Sequence, residues 1–169
     1  MAYTESDFMK IDEYLHDDEK MVRDTVRSFV SNEIMPIIAD HYDKGTFPKN
    51  LIPQMAELGM FGATIHGYEC AGLNYTSYGL IMQELERGDS GLRSFVSVQG
   101  ALCMFPIYRY GTEAHKKKYL PKMAKGEWIG CFGLTEPDFG SNPGGMITRA
   151  RKDGNDYILN GSKMWITNG

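Results

Sequence analysis

Cysteine is scarce in this sequence, and any surplus of positive charge is missing. Cys70, Cys103 and Cys131 are odd in number, far apart and outside any CxxC spacing, which suggests neither a disulfide framework nor a zinc site and fits a reducing compartment. His16, His41, His66 and His115 form no HExxH or other ligand pattern, so no metal is expected. Lys and Arg number 18 against 22 Asp and Glu, a net charge of −4, which leaves nothing to neutralise a phosphate backbone or an anionic bilayer. Nucleic acid and membrane partners are therefore not expected. No segment approaches the roughly 20 apolar residues of a membrane span. The acidic stretch Met1 to Tyr14 lacks the basic start and apolar core of a secretory signal, so a soluble, non-secreted chain is expected.

What is present is enough for a sizeable core: 169 residues, 42% hydrophobic and 24% charged. From Asp17 to Ala39 the positions Val22, Val26, Phe29, Val30 and Ile37 recur at three- and four-residue steps, which predicts a core-facing helix, kinked or restarted at Pro36. Pro48 opens a short helix carrying Leu51, Ile52, Met55 and Leu58, and Gly59 closes it. Tyr78, Ile81, Met82 and Leu85 place a third helix over about Tyr75 to Arg87. Asp89 is a good N-cap for a fourth, reaching about Tyr110, where Gly111 ends it. Thr112 then caps a last helix that Gly126 terminates. Its run Lys116-Lys117-Lys118 reads as a solvated face.

After Gly126 the period changes to two. Trp128 to Leu134 reads as a strand, and the turn signals Asp153-Gly154 and Asn160-Gly161 predict a three-stranded antiparallel meander over Met146 to Lys152, Asn155 to Leu159 and Ser162 to Thr167. The fold class is α+β, with residues 1–126 helical and residues 127–169 the first strands of an incomplete β domain, its sheet unfinished at the end of the sequence.

Three places carry candidate chemistry. Phe132, Leu134 and Thr135 lead from the predicted strand into a loop with Gly140, Ser141, Asn142 and Pro143, where backbone amides lie open and hydroxyls are at hand. On composition alone this is an ordinary glycine-rich turn, without the GK[ST] of a P-loop. Trp165 and Thr167, two apart in a strand, share a face that can stack on and hydrogen-bond a planar heterocycle; a lone Trp in a strand is more often core. Glu86, Arg93 and Ser97 are spaced by seven and four, but Gly88 and Gly91 interrupt the first interval, so the spacing secures Arg93 and Ser97 alone as neighbours. Such an Arg is either half of a surface ion pair or a fork for both oxygens of a carboxylate.

Taken together, Gly133-Leu134-Thr135-Glu136-Pro137, Gly140-Ser141 and Trp165-Ile166-Thr167 resemble the acyl-CoA dehydrogenase family. Glu84 to Arg87, Asp89 to Gly91 and Arg93-Ser94 are similar to its glutaryl-CoA branch. The resemblance implies FAD as cofactor, lined by Phe132, Leu134, Thr135, Gly140 and Ser141 and packed by Trp165, Ile166 and Thr167. It implies an acyl-CoA thioester substrate that meets Ser141 along its pantetheine arm, with Glu86, Arg93, Ser94 and Ser97 around the far carboxylate of glutaryl-CoA. It further implies reoxidation by electron-transferring flavoprotein, possible decarboxylation to crotonyl-CoA, a homotetramer, and a bacterial cytoplasmic or mitochondrial matrix setting. The family's catalytic base is a Glu in a C-terminal helical part, and no residue here matches it. A truncated helical interaction module without flavin and an oxygen-using acyl-CoA oxidase are the alternatives. Asn142 stands where the family usually has Asp, and Phe139 where it has a small residue, so a lost ion pair and a narrower ligand entrance are expected there.

Overall fold

A computed structural model describes residues 8–169; the start of the acidic N-terminal stretch, residues 1–7, lies outside them. Helix α1 (Asp17–Phe29) buries Val26 and Phe29, with Val22 half-buried beside them. A π-helical turn, Val30–Ile34, follows it, and the chain restarts as α2 (Ile38–Lys44). Pro36 explains the break: its ring disfavours the carbonyl four residues back and it has no N–H to donate. The Pro48 helix is a 3-10 turn, Lys49–Leu51, leading into α3 (Ile52–Glu57).

Helix α4 (Tyr75–Gly88) is capped by Asn74, whose side chain accepts from the Ser77 amide at 2.8 Å. Helix α5 (Ser90–Ser97) is capped by Asp89, which accepts from the Leu92 amide at 2.7 Å, as its sequence predicts. The expected run to Tyr110 is continuous but not uniform: a second π-helical turn, Val98–Met104, joins α5 to α6 (Phe105–Tyr110). It ends two residues before Pro106, as the first ends two residues before Pro36. Thr112 caps α7 (Glu113–Ala124). There Lys116 and Lys118 lie over the rings of Tyr108 and Tyr119, and Lys117 reaches Glu113.

The core sits among these helices. Ile34, Leu51, Met55, Phe61, Ile81, Leu85, Leu92, Met104 and Leu120 are buried almost completely, and each such side chain contributes about 1.5–3 kcal/mol. Helices α1 and α4 are also joined by charge. The buried carboxylate of Glu84 accepts from Arg27 at 2.8 Å and from Arg87 at 2.9 Å. Burial pushes this carboxyl up, but the two guanidiniums outweigh that and hold it below the ordinary range.

The β part departs from expectation in three ways. One hairpin forms, β1 (Arg149–Asp153) against β2 (Asp156–Asn160), with Arg149 opposite Asn160 and Asp153 opposite Asp156. Its loop residues are Gly154 and Asn155 rather than Asp153 and Gly154. Gly154 takes a φ of 61°, so glycine occupies the first loop position, as in the two-residue turns that match strand twist.

Trp128 to Leu134 forms no strand. Apart from the Trp128 amide, which donates to Lys122 O, its hydrogen bonds go to side chains instead of a neighbouring ladder: Gln99 takes Trp128 O and Gly130 N, Asn168 takes Gly130 O, and Lys163 takes Leu134 O.

Ser162 to Thr167 likewise forms no third strand. After Gly161 the chain crosses Thr148 and turns onto the loop around Glu136, because the Lys163 ammonium bonds the buried Glu136 carboxylate at 3.0 Å. Trp165 adopts a φ of 58°, so the strand alternation that placed Trp165 and Thr167 on one face does not apply.

Candidate functional site

Two of the three candidate places are brought together by the backbone. The Met164 amide donates to Thr135 O at 2.9 Å and the Lys163 ammonium to Leu134 O at 2.8 Å. The segment with Phe132, Leu134 and Thr135 thus lies against the segment leading into Trp165, Ile166 and Thr167. Phe132 and Leu134 are both exposed, and Trp165 is 86% exposed. Ile166 is half-buried and Thr167 exposed. Three large apolar side chains standing in solvent at the meeting of two tied segments suit a flat, largely apolar partner. The donor set nearby, Thr135 and Thr167 hydroxyls with open backbone amides, suits the polar edge of a heterocycle.

Glu136 organises this region, although no local sequence signal singles it out. It is 2% exposed, accepting from the Ile147 amide at 2.7 Å, the Thr148 amide at 3.0 Å and the Lys163 ammonium at 3.0 Å. Its backbone also pairs with Phe139 in both directions at 3.1 Å, closing a tight turn. The buried Thr148 hydroxyl, without a partner of normal hydrogen-bond geometry, lies beside the carboxylate. That hydroxyl, the two amides and Lys163 outweigh the opposing effect of burial and hold Glu136 down at about 2. A carboxyl depressed in the folded state contributes stability above its unfolded value and loses it as pH falls through the folded one. The amide resonances of Ile147 and Thr148 are therefore expected to stay constant through the ordinary carboxylate range and to move near pH 2. A midpoint at about 4.3, the free glutamate value, would show an unanchored carboxylate.

Beyond this turn Gly140 and Ser141 stand exposed in the loop, and the Phe139 ring lies against Gly145. The chain places no hydrogen bond between Ser141 and Thr135.

The third place forms at the junction of α4 and α5. Arg93 Nε donates to Glu86 Oε2 at 2.6 Å, and Ser90 Oγ donates to the other oxygen at 2.8 Å. The hydrogen bond from Arg93, then that from Ser90, hold the Glu86 carboxyl below its ordinary value. Glycines 88 and 91 do not separate the pair: the helix breaks at Asp89, whose backbone is extended, and Arg93 still reaches Glu86. The spacing that looked secure, Arg93 to Ser97, makes no bond: Ser97 Oγ donates to Ser94 O at 3.1 Å. Among the described residues the two terminal nitrogens of Arg93 make no hydrogen bond.

Other reactive chemistry is muted. Burial pushes the Cys70 and Cys103 thiols up to about 11, far from a nucleophilic thiolate. Among the described residues no group of three or more His, Cys, Asp or Glu could hold a metal, and no helix is long and apolar enough to cross a membrane.

Residues 16–127 match the model of the acyl-CoA dehydrogenase N-terminal domain and residues 131–169 that of the acyl-CoA dehydrogenase middle domain. Among curated proteins, the mitochondrial short-chain specific acyl-CoA dehydrogenase of Bos taurus is 36% identical over 155 residues, 91% of this chain and 38% of its own length. The glutaryl-CoA dehydrogenase of Desulfococcus multivorans is 39% identical over 154 residues, 88% of this chain and 39% of its own. Among solved structures, a glutaryl-CoA dehydrogenase from Mycobacterium smegmatis in complex with FADH2 is 56% identical with a TM-score of 0.92, covering 95% of this chain and 42% of that one. The chain thus spans about two fifths of the length of the relatives it matches.

Proposed function

Because this chain belongs to the acyl-CoA dehydrogenase family, we propose that it is the N-terminal part of an FAD-dependent enzyme that oxidises glutaryl-CoA. The observation that carries the substrate is Arg93. Its Nε is held by Glu86 while its terminal nitrogens are left without a bond in this structure, so a planar fork is oriented in advance for a second carboxylate. Ser94 and Ser97 follow it on the same helix. The 56% identity to a glutaryl-CoA dehydrogenase structure supports the same reading.

In this proposal Phe132, Leu134, Thr135, Gly140 and Ser141 line the flavin, and Trp165, Ile166 and Thr167 pack against it. Ser141 also meets the pantetheine arm of the thioester. Bound FAD supplies the hydride acceptor. The residues of this chain orient the acyl group and exclude water from it, and the carboxylate that takes the α-proton comes from chain beyond these 169 residues. Electron-transferring flavoprotein is the proposed electron acceptor, with decarboxylation to crotonyl-CoA as the proposed completion, in a homotetramer of the bacterial cytoplasm or mitochondrial matrix.

The test is anaerobic addition of glutaryl-CoA to the full-length yellow protein. Loss of the flavin absorbance, with crotonyl-CoA and carbon dioxide as products, is the expected result; an unchanged spectrum with glutaryl-CoA removes the substrate assignment. Oxygen uptake without added acceptor would favour an oxidase instead.

The cofactor assignment has its own check. Thr167→Ala removes a hydrogen bond of about 0.5–1.5 kcal/mol, and Trp165→Ala removes stacking area. Each is expected to lower flavin retention after dialysis before it changes acyl-CoA affinity. Full flavin content with unchanged absorbance in either variant would take that residue off the cofactor.

A further inference from the structure

Three separate stretches of chain are tied at Gly130. Its N–H donates to Gln99 Oε1 at 2.8 Å and its carbonyl accepts from Asn168 Nδ2 at 3.3 Å. Gln99 is fully buried on the π-helical turn that continues α5, and its Nε2 donates to Trp128 O at 2.8 Å and to Met123 O at 3.1 Å. Asn168 Nδ2 also donates to Phe95 O, on α5 itself, at 3.3 Å. The fit is close: a Cβ at position 130 would meet Cys103 Cβ at 2.9 Å and Met123 Cε at 3.0 Å. Asn168 holds a φ of 65°, a conformation that asparagine tolerates better than most residues. The knot therefore joins the helix of Arg93 and Ser97 to the segment of Phe132 and Leu134 and to the turn of Trp165 to Thr167.

We propose that Gln99 and Asn168 are positioning residues that act through Gly130 to set the separation between the Arg93 end of the site and its flavin end; this rests on the function proposed above. A thioester with a terminal carboxylate is anchored at Arg93 and reacts at the other end, so it registers any change in that separation. A misplacement of about 1 Å can cost on the order of 100-fold in rate. An acyl chain without the carboxylate is held at one end and follows the flavin side freely.

Two variants of the full-length protein test this. Asn168→Gly keeps the left-handed backbone and removes both donors, and Gln99→Met keeps the volume while removing donors and acceptor. In single-turnover flavin reduction, each variant is expected to lose at least about 10-fold more rate with glutaryl-CoA than with butyryl-CoA, while glutaryl-CoA KM changes little. In protein stripped of flavin, hydrogen exchange is expected to quicken in the peptide 128–134 and to stay unchanged in α1 and α4. Parallel losses with both thioesters would show that the knot merely supports the fold, and unchanged exchange at 128–134 that it does not hold that segment; either result overturns the proposal. A wild type that turns over butyryl-CoA but not glutaryl-CoA removes the substrate assignment, and with it the reason for a set separation.

Discussion

Replacing Arg93 by methionine in the full-length protein is expected to lower kcat/KM for glutaryl-CoA by roughly 30- to several-thousand-fold while leaving butyryl-CoA nearly unchanged. A carboxylate that is desolvated on binding and loses its charged partner costs about 2–5 kcal/mol, and each 1.4 kcal/mol is tenfold. Arg93→Lys should recover little of the loss. Glu86 holds Arg93 by Nε, which fixes the plane of the guanidinium, and an ammonium on a flexible stem has no plane to fix. The collateral effect of losing the arginine is limited, since Glu86 is half exposed and water can solvate it. If the pair were an ordinary surface contact worth about 0–1 kcal/mol, both thioesters would respond alike. Steady-state constants for the two substrates on wild type and variants decide between these outcomes; equal losses, or none, remove Arg93 from the substrate site.

The helical half was legible because its signals are local. Asp89 and Thr112 announce their caps three residues from the amides they bind, and Pro36 marks the break between α1 and α2 within one turn. The β half is not legible in the same way because its hydrogen bonds are settled at long range. Nothing in Trp128 to Leu134 says that Gln99, 31 residues earlier, takes the Gly130 amide, or that Lys163, 29 residues later, takes Leu134 O. Those side chains replace a ladder. A period of two in the sequence names no sheet neighbour. The candidate site was legible in its residue types and in part in its grouping. Glu86 and Arg93 look separated by two glycines because the sequence does not show how the chain continues through the break at Asp89. Gln99 carries a weak signal: a polar side chain among Val96, Val98 and Leu102 must either face solvent or find buried partners. Glu136 carried none beyond its place before Pro137.

The 169 residues alone, supplied with FAD, are expected to show no flavin reduction by glutaryl-CoA or butyryl-CoA. Abstraction of an α-proton needs a carboxylate within reach of the substrate and with an affinity for protons matched to the working pH. The buried carboxylates described here have been drawn the other way. Glu136 is held at about 2 by two amides, a hydroxyl and Lys163. Glu84 is clasped between Arg27 and Arg87, and Glu19 is held down by the His16 amide and the Asn74 side chain. Glu86, the carboxylate nearest the proposed substrate end, is lowered by Arg93 and Ser90. Each of these groups is tied to structure and is a weaker base than a free glutamate. The α-carbon would also lie toward the flavin end, away from Glu86, if Arg93 receives the far carboxylate. Mixing the fragment with glutaryl-CoA in the absence of oxygen and following the flavin spectrum checks this. Reduction by the fragment, in a preparation shown by mass to hold no longer chain, would mean that a carboxylate within these residues is the base after all; Glu19→Gln, Glu84→Gln, Glu86→Gln and Glu136→Gln would then test these four in turn.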